Sequence, residues 1–418
     1  MDKILIEGGR RLSGKIEIGG MKNSALPIIF ACLLIRDECI LENIPRVSDV
    51  ENALSILRKM GAVAEFVDEH TVKINTQNAQ GQGLDFDLIS KMRASSYLLS
   101  TCLSRFGEIY MPYPGGCNFG SRPIEQHIKG LKRLGAKGDE SDGFIQLKYK
   151  KPPKSTKIVL DKISVGGTIN MIMATILVEG QSIIENVAKE PHIIDLIRFL
   201  NACGADILHF GSYIRVNGVK SLRGTKYRIY ADTIEALTYV ACVGATGGAL
   251  TLNNAEYDHI RCLKGIFDEM SIKISYNNGR QIYVSSDRPR GVCVTTAPYP
   301  SFPTDLHPQF SALLCFCEGG GSVTETIFPG RFAYVSELEK MGAKIEKRDN
   351  TVLVSQARLY GAELDATDLR AGAALVVAGL GATGVSTINN VNYIVRGYER
   401  LTEKLASVGG DIKLIKGE

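Results

Sequence analysis

A short pattern recurs along the chain at intervals of about 70 residues, and nothing else in the sequence limits the fold so tightly. An amphipathic stretch closes on a glycine: LRKMGA at 57–62, LKRLGA at 131–136, LNACGA at 200–205 and LEKMGA at 338–343. ASVGG near the C-terminus continues the series, and FDEMSI at 267–272 fills the gap between the third and fifth members as a degenerate copy. Six copies result.

Each copy has the same internal order. A helix of small apolar residues comes first, then a short strand, a loop, a second helix ending on the glycine, and alternating strand material such as AEFVDEHTVKIN. The six short strands are ECILEN, GEIYMP, QSIIEN, GALTLNN, GSVTETI and VSTINN. A glycine after the last periodic residue signals a helix C-terminus, and alternation with β-branched residues signals strands. The first helices are apolar nearly all round and are expected to be buried. The second are amphipathic and are expected to face solvent. Buried helices inside, sheets and amphipathic helices outside, make an inside-out α/β barrel with three copies in each of two domains. The pattern places one domain at 21–229. The other combines 1–20 with 230–418, because the strand expected over 4–18 precedes the first helix and is free to return to the second half.

Composition narrows the function. Apolar residues make up 44% and charged residues 22%, which excludes disorder as a description of the whole chain. The longest apolar run, at 25–35, is about half of what a membrane span needs, and no signal-peptide pattern opens the chain, so a soluble cytoplasmic protein is expected. The balance of 49 basic against 45 acidic residues is too even for a nucleic-acid binder and suits a pocket holding a small anion. The ten cysteines lack CxxC spacing, and the histidines lack HExxH spacing. Neither a metal nor a cofactor is therefore expected, and most cysteines read as small buried hydrophobes. Two nucleotide-motif matches fail on context. The GxGxxG at 379–384 follows a helix and precedes a strand, the reverse of a dinucleotide site, and the near P-loop at 9–15 is followed by Ile16 where a hydroxyl residue must stand.

Departures from the repeat expose better candidates. The second copy alone carries a long Gly- and Pro-rich connection at 112–123, with Cys117 in its middle and Arg122 after it. Such loops on a rigid scaffold carry function, and a cysteine near cations forms a thiolate or donates a proton; packing under a neighbouring helix is the plain alternative. Lys22, Arg93 and Arg370 open first helices, while Arg122, Arg331 and Arg396 stand in loops leading to second helices. Helix N-termini and arginines both attract phosphate or carboxylate, so their recurrence points to an anion site. Asp305 opens the first helix of the fifth copy, either as a cap or as the acceptor of a substrate proton.

Over its whole length the chain resembles the UDP-N-acetylglucosamine 1-carboxyvinyltransferase family of enolpyruvyl transferases. The shared motifs are Lys22-Asn23 with ALP, MRAS from Met92, PGGC to RP at 114–123 and DKISVG from Asp161. FPTD from Phe302, TET with RF at 324–332, ATDLRAGAALV from Ala366 and RGYE from Arg396 complete them. The resemblance implies that family's two-domain inside-out barrel. It also implies transfer of enolpyruvate from phosphoenolpyruvate to the 3′-hydroxyl of UDP-N-acetylglucosamine, without a metal, at the start of peptidoglycan synthesis.

Carried over by motif, Lys22, Arg122 and Arg396 would hold the phosphate, and Arg331 and Arg370 the carboxylate. Asp305 would take the hydroxyl proton, and Cys117 would protonate the methylene carbon and be the target of fosfomycin. Asn23, Arg93, Arg122, Pro123, Ile124, Glu125, Gln126, Lys162, Ile163, Ser164, Val165, Asp305 and Ile327 fall in the stretches that meet the substrates. Three departures concern recognition rather than chemistry: Glu125 and Val395 each replace a usual Asp, and PGRFAY surrounds Arg331 in place of ENRFxH. The alternatives are an enolpyruvyl transferase with another nucleotide acceptor or with shikimate 3-phosphate, and a catalytically idle relative that binds UDP-sugars.

Overall fold

The computed structural model describes residues 2–115 and 124–417. The chain divides into two compact units and passes between them at Gly19/Gly20 and at Tyr230/Ala231. The first unit takes the described residues between Gly20 and Tyr230. The second joins the N-terminal stretch to everything from Ala231 onward.

The six short strands of the repeat each lie inside their own sheet. In five of the six sheets the strand pairs in parallel with an edge strand on one side and antiparallel on the other, with a hairpin in four of them. Lys157–Val159, Gln181–Glu185, Tyr213–Asn217 and Asp206–His209 show the pattern in the third copy. The sheet of the second copy has three strands only, Glu108–Pro112, Phe144–Tyr149 and Ala136–Ser141. The segment that would supply its parallel edge is instead the helix Phe86–Lys91, capped by Asp85, whose side chain accepts from the Leu88 N–H.

The N-terminal stretch returns to the second unit, as two strands rather than one. Lys3–Glu7 is the central antiparallel strand of the sixth sheet, between Val385–Asn389 and Asp411–Ile415. Leu12–Glu17 is the parallel edge of the fourth, beside Gly248–Asn253. The break falls at Gly8-Gly9. A Cβ at Gly8 would meet the carbonyl oxygens of Ala382 and Gly379 at 2.3 and 2.4 Å, and Gly9 takes φ 86°. No side chain fits the first position, and the second needs the left-handed freedom of glycine.

The first helices are buried as their composition demands. Leu369–Gly381 is covered from Leu369 to Leu380 and packs on Thr233–Thr246 and His307–Leu314. In the first unit, Leu98–Phe106 packs on both Lys22–Ala31 and Val165–Thr175. Each unit has its own apolar core around these helices, with Phe30 and Phe199 in one, and Tyr239 and Phe310 in the other.

The second helices end alike. Gly61, Gly135, Gly204, Gly342 and Gly409 have φ between 92° and 106°. At Gly61, Gly204, Gly342 and Gly409 the next residue's N–H bonds back five positions, as Ala205 does to Leu200 at 3.0 Å. This satisfies carbonyls that the helix leaves open. The degenerate fourth copy does the same with Ser271, at φ 61°, and Ile272 bonds to Phe267 at 2.8 Å.

Candidate functional site

The fifth and sixth copies of the second unit build a buried charged cluster. Asp305 sits in the short 3-10 helix Thr304–Leu306, which leads into His307–Leu314. The longer helix is entered at Leu306, so the Asp305 carboxylate is not its cap. Its Oδ1 accepts from Arg331 Nη1 at 2.8 Å and its Oδ2 from Arg370 Nη2 at 3.0 Å. Both guanidinium groups are about 95% buried, and the aspartate side chain is 27% exposed. Burial alone would raise the Asp305 carboxyl, but the charges of Arg370 and Arg331 outweigh it and hold it well below the usual carboxylate range.

Arg370 stands in the first turn of Leu369–Gly381, behind Asp368, the N-cap, which accepts from the Arg370 and Ala371 N–H groups. Its Nη1 donates to the Tyr398 hydroxyl at 3.1 Å, which also takes a bond from Gln309 Nε2 at 3.0 Å. Thr238 Oγ1 donates to the Ile234 carbonyl, so it accepts from Tyr398 at 2.8 Å. Arg370 is thus locked from behind by a chain of neutral donors and acceptors.

Arg331 precedes the helix Tyr334–Lys340 and makes a second bond, from Nη1 to Thr304 Oγ1 at 2.9 Å. Thr304 donates in turn to Glu325 Oε2 at 2.8 Å. Glu325 is fully buried and takes four further bonds, from Thr296 Oγ1, the N–H groups of Ile327 and Phe328, and His307 Nδ1. Burial would raise this carboxyl; the bonds from His307, Phe328 and Thr304 outweigh it and bring it down to about 2. Burial pulls His307 down against the pull of Glu325; its Nδ1 donates to that carboxylate, and its Nε2 lies 2.8 Å from the Tyr334 hydroxyl, which donates to Ser311 Oγ.

The first unit carries a different set. Lys22 opens the helix Lys22–Ala31 and pairs with Asp49 at 2.9 Å, both side chains nearly buried. Asn23 follows it, half-buried. Arg93 opens the 3-10 helix Arg93–Tyr97. Burial, with Arg93 nearby, pulls the buried His127 down to about 3. Gln126, in the helix Glu125–Arg133, accepts from the Lys162 N–H at 3.0 Å and so ties this helix to the loop before Val165–Thr175. Ser164 caps that helix by accepting from the Gly167 N–H at 3.1 Å. Lys162, Ile163 and Glu125 are exposed, and Ile124 is buried.

Sequence reasoning located Asp305, Arg331 and Arg370, which the fold brings together. Arg396 ends the 3-10 helix Val391–Arg396 of the same unit and is half-buried, and Ile327 is tied to Glu325 through its N–H. Cys117, Arg122 and Pro123 lie outside the described residues. Thr304, Glu325, His307, Tyr398 and, in the first unit, Asp49 escaped sequence reasoning. TET and FPTD were visible as motifs, but nothing in them marked a task for the glutamate and the threonine.

The architecture matches solved enolpyruvyl transferases. The enolpyruvyl transferase NikO from Streptomyces tendae superposes with a TM-score of 0.90 at 23% identity, covering 100% of this chain and 99% of that one. EPSP synthase from Acinetobacter baumannii gives 0.78 at 17% identity, with both chains fully covered. Residues 6–405 match the model of the EPSP synthase (3-phosphoshikimate 1-carboxyvinyltransferase) family, and the chain belongs to this family of enolpyruvyl transferases. Within it, the chain is 43% identical to the UDP-N-acetylglucosamine 1-carboxyvinyltransferase of Halothermothrix orenii and 38% identical to that of Pseudoalteromonas atlantica, each over the full length of both chains. It is 42% identical to UDP-N-acetylglucosamine 1-carboxyvinyltransferase 2 of Staphylococcus aureus, over 98% of each chain.

Proposed function

We propose that this chain transfers the enolpyruvyl group of phosphoenolpyruvate to the 3′-hydroxyl of UDP-N-acetylglucosamine, releasing phosphate. Full-length relatives carrying that name support the acceptor. The observation that carries the chemistry is Asp305 held between Arg331 and Arg370.

Two converging guanidinium groups are a receptor for a carboxylate, and Asp305 occupies it. A carboxylate so strongly stabilised is a poor base. When the carboxylate of phosphoenolpyruvate takes the arginines, Asp305 loses its counter-charges and its proton affinity rises. The base is thereby raised as the electrophile arrives. Asp305 then accepts the proton of the attacking hydroxyl as its oxygen bonds to C2 of phosphoenolpyruvate, while C3 gains a proton from Cys117. Loss of phosphate and of a C3 proton restores the double bond in the product. Lys22, Arg122 and Arg396 carry the phosphate in this reading, and Arg93, Gln126 and the 162–165 loop meet the UDP-sugar. The reaction would open peptidoglycan synthesis in the cytoplasm, with Cys117 as the site of fosfomycin alkylation.

The test is phosphate release from phosphoenolpyruvate by the purified chain with each acceptor in turn. Release that requires UDP-N-acetylglucosamine is expected. Release with shikimate 3-phosphate or another nucleotide in its place, or with no acceptor at all, would sink the assignment.

A further inference from the structure

We propose that Glu325 is a positioning residue: its carboxylate orients the Thr304 hydroxyl so that Arg331 is held on Asp305. The inference deepens the reading of Asp305 as proton acceptor and rests on it.

The repeat supplies the first reason. In the first, third and fourth copies the residue after the short strand is an asparagine with φ between 51° and 63°. Its side-chain amide donates to the carbonyl just beyond the parallel edge strand: Asn43 to Ile229, Asn186 to Leu160, Asn254 to Ile18. A neutral amide therefore suffices to join these strands. The fifth copy uses a fully buried carboxylate at the corresponding place, which costs more to desolvate than an amide.

Connectivity supplies the second. Glu325 Oε1 accepts from Thr296, Ile327 and Phe328, and Oε2 from Thr304 and His307. The Thr304 hydroxyl has one proton, and Oε2 takes it. Only its lone pairs then face Arg331 Nη1, the same atom that reaches Asp305 Oδ1. A glutamine at 325 can keep the three bonds to one oxygen, but its NH₂ group would face two donors. Thr304 would have to turn and accept from the amide, and Arg331 would lose its bond to the Thr304 oxygen.

Among the described residues, the charged and titratable groups around Asp305 are Arg331 and Arg370, with Tyr398 and Asp232 facing Arg370 and with Glu325 and His307 behind Thr304. Loosening Arg331 should let Asp305 take a proton more readily.

The experiment measures phosphate release by the full chain across pH for wild type, Glu325→Gln, Thr304→Val and Thr304→Ser. Glu325→Gln and Thr304→Val are expected to lower kcat about tenfold or more, with the acceptor KM within about threefold. In both, the acid limb of kcat/KM should move to higher pH, and Thr304→Ser should return it to the wild-type position. An acid limb that stays in place in Thr304→Val overturns the proposal, even if both variants are less stable. Thr304→Val leaves four of the five Glu325 bonds intact, so it decides the matter if Glu325→Gln does not fold. A wild type that releases no phosphate overturns the reaction assignment instead. A crystal structure of Thr304→Val then decides the positioning, and Arg331 still bonded to Asp305 would overturn it.

Discussion

In the fourth copy of the repeat, the strand Gly248–Asn253 runs into Asn254, whose left-handed backbone and side-chain amide fasten it to Ile18. In the fifth, Gly321–Thr324 runs into Glu325, whose backbone is not left-handed and whose carboxylate faces five donors. The two places do the same job for the sheet. The second is also wired to charged groups, through Thr304 to Arg331 and Asp305. The repeat is a scaffold, and its chemistry enters where a copy departs from the common solution.

The largest break in that comparison is at the end of the wire. Asp305→Asn should lower turnover by about 10²–10⁴-fold while binding of the UDP-sugar, measured calorimetrically, stays close to wild type. Turnover near wild type would leave Asp305 as a mere counter-ion for its arginines.

A second prediction asks whether the first unit handles a buried polar group differently. His127 is buried uncharged, with its pKa lowered to about 3, whereas Glu325 is buried charged. For His127 the unfolded chain binds a proton below about pH 6.5 that the folded chain refuses until about pH 3, so ν_U exceeds ν_N there. Its contribution is complete above pH 6.5 and falls by about 1.4 kcal/mol per unit as pH drops. His127→Gln should flatten the decline in stability between about pH 6 and about pH 4.5, read from urea midpoints. A decline of unchanged slope would contradict the assignment.

Asn254→Ala comes next. Losing the bond to Ile18 and placing alanine at φ 51° should together cost about 2 kcal/mol, with kcat within about twofold of wild type. A large loss of kcat in a folded variant would erase the distinction between scaffold and site. The smallest effect is at the helix stops. Ser271→Gly should stabilise by about 0.5–1 kcal/mol, because serine is strained at φ 61° where the other copies have glycine. No gain in the denaturant midpoint would mean that Ser271 is compensated locally.

What could be read along the sequence was what short-range physics writes there. The apolar helices, glycine stops and six strands follow from periodicity and from backbone conformations that one or two residues impose. Asp305, Arg331 and Arg370 were legible because motifs mark them. The network behind them was not, because Gln309 and Tyr398 are 89 residues apart and Thr238 and Tyr398 are 160. Buried polar chains of this kind leave no local period. The double-glycine break at Gly8-Gly9 was missed for a related reason. The obstruction that excludes a side chain at Gly8 is the backbone at Gly379 and Ala382, near the other end of the chain.

That pairing of distant ends sets an order of assembly. The described residues of the first unit all lie between Gly20 and Tyr230, and it has all its described strands once Lys226–Arg228 has been synthesised. The second begins with residues made before the first unit, yet Lys3–Glu7 has no partner until Val385–Asn389 and Asp411–Ile415 leave the ribosome. An apolar strand with two open edges is thus carried, unpaired, while the whole first unit is made. Nascent chains released early would present it to any exposed sheet edge nearby, whereas the unit that lies between its two parts is already closed.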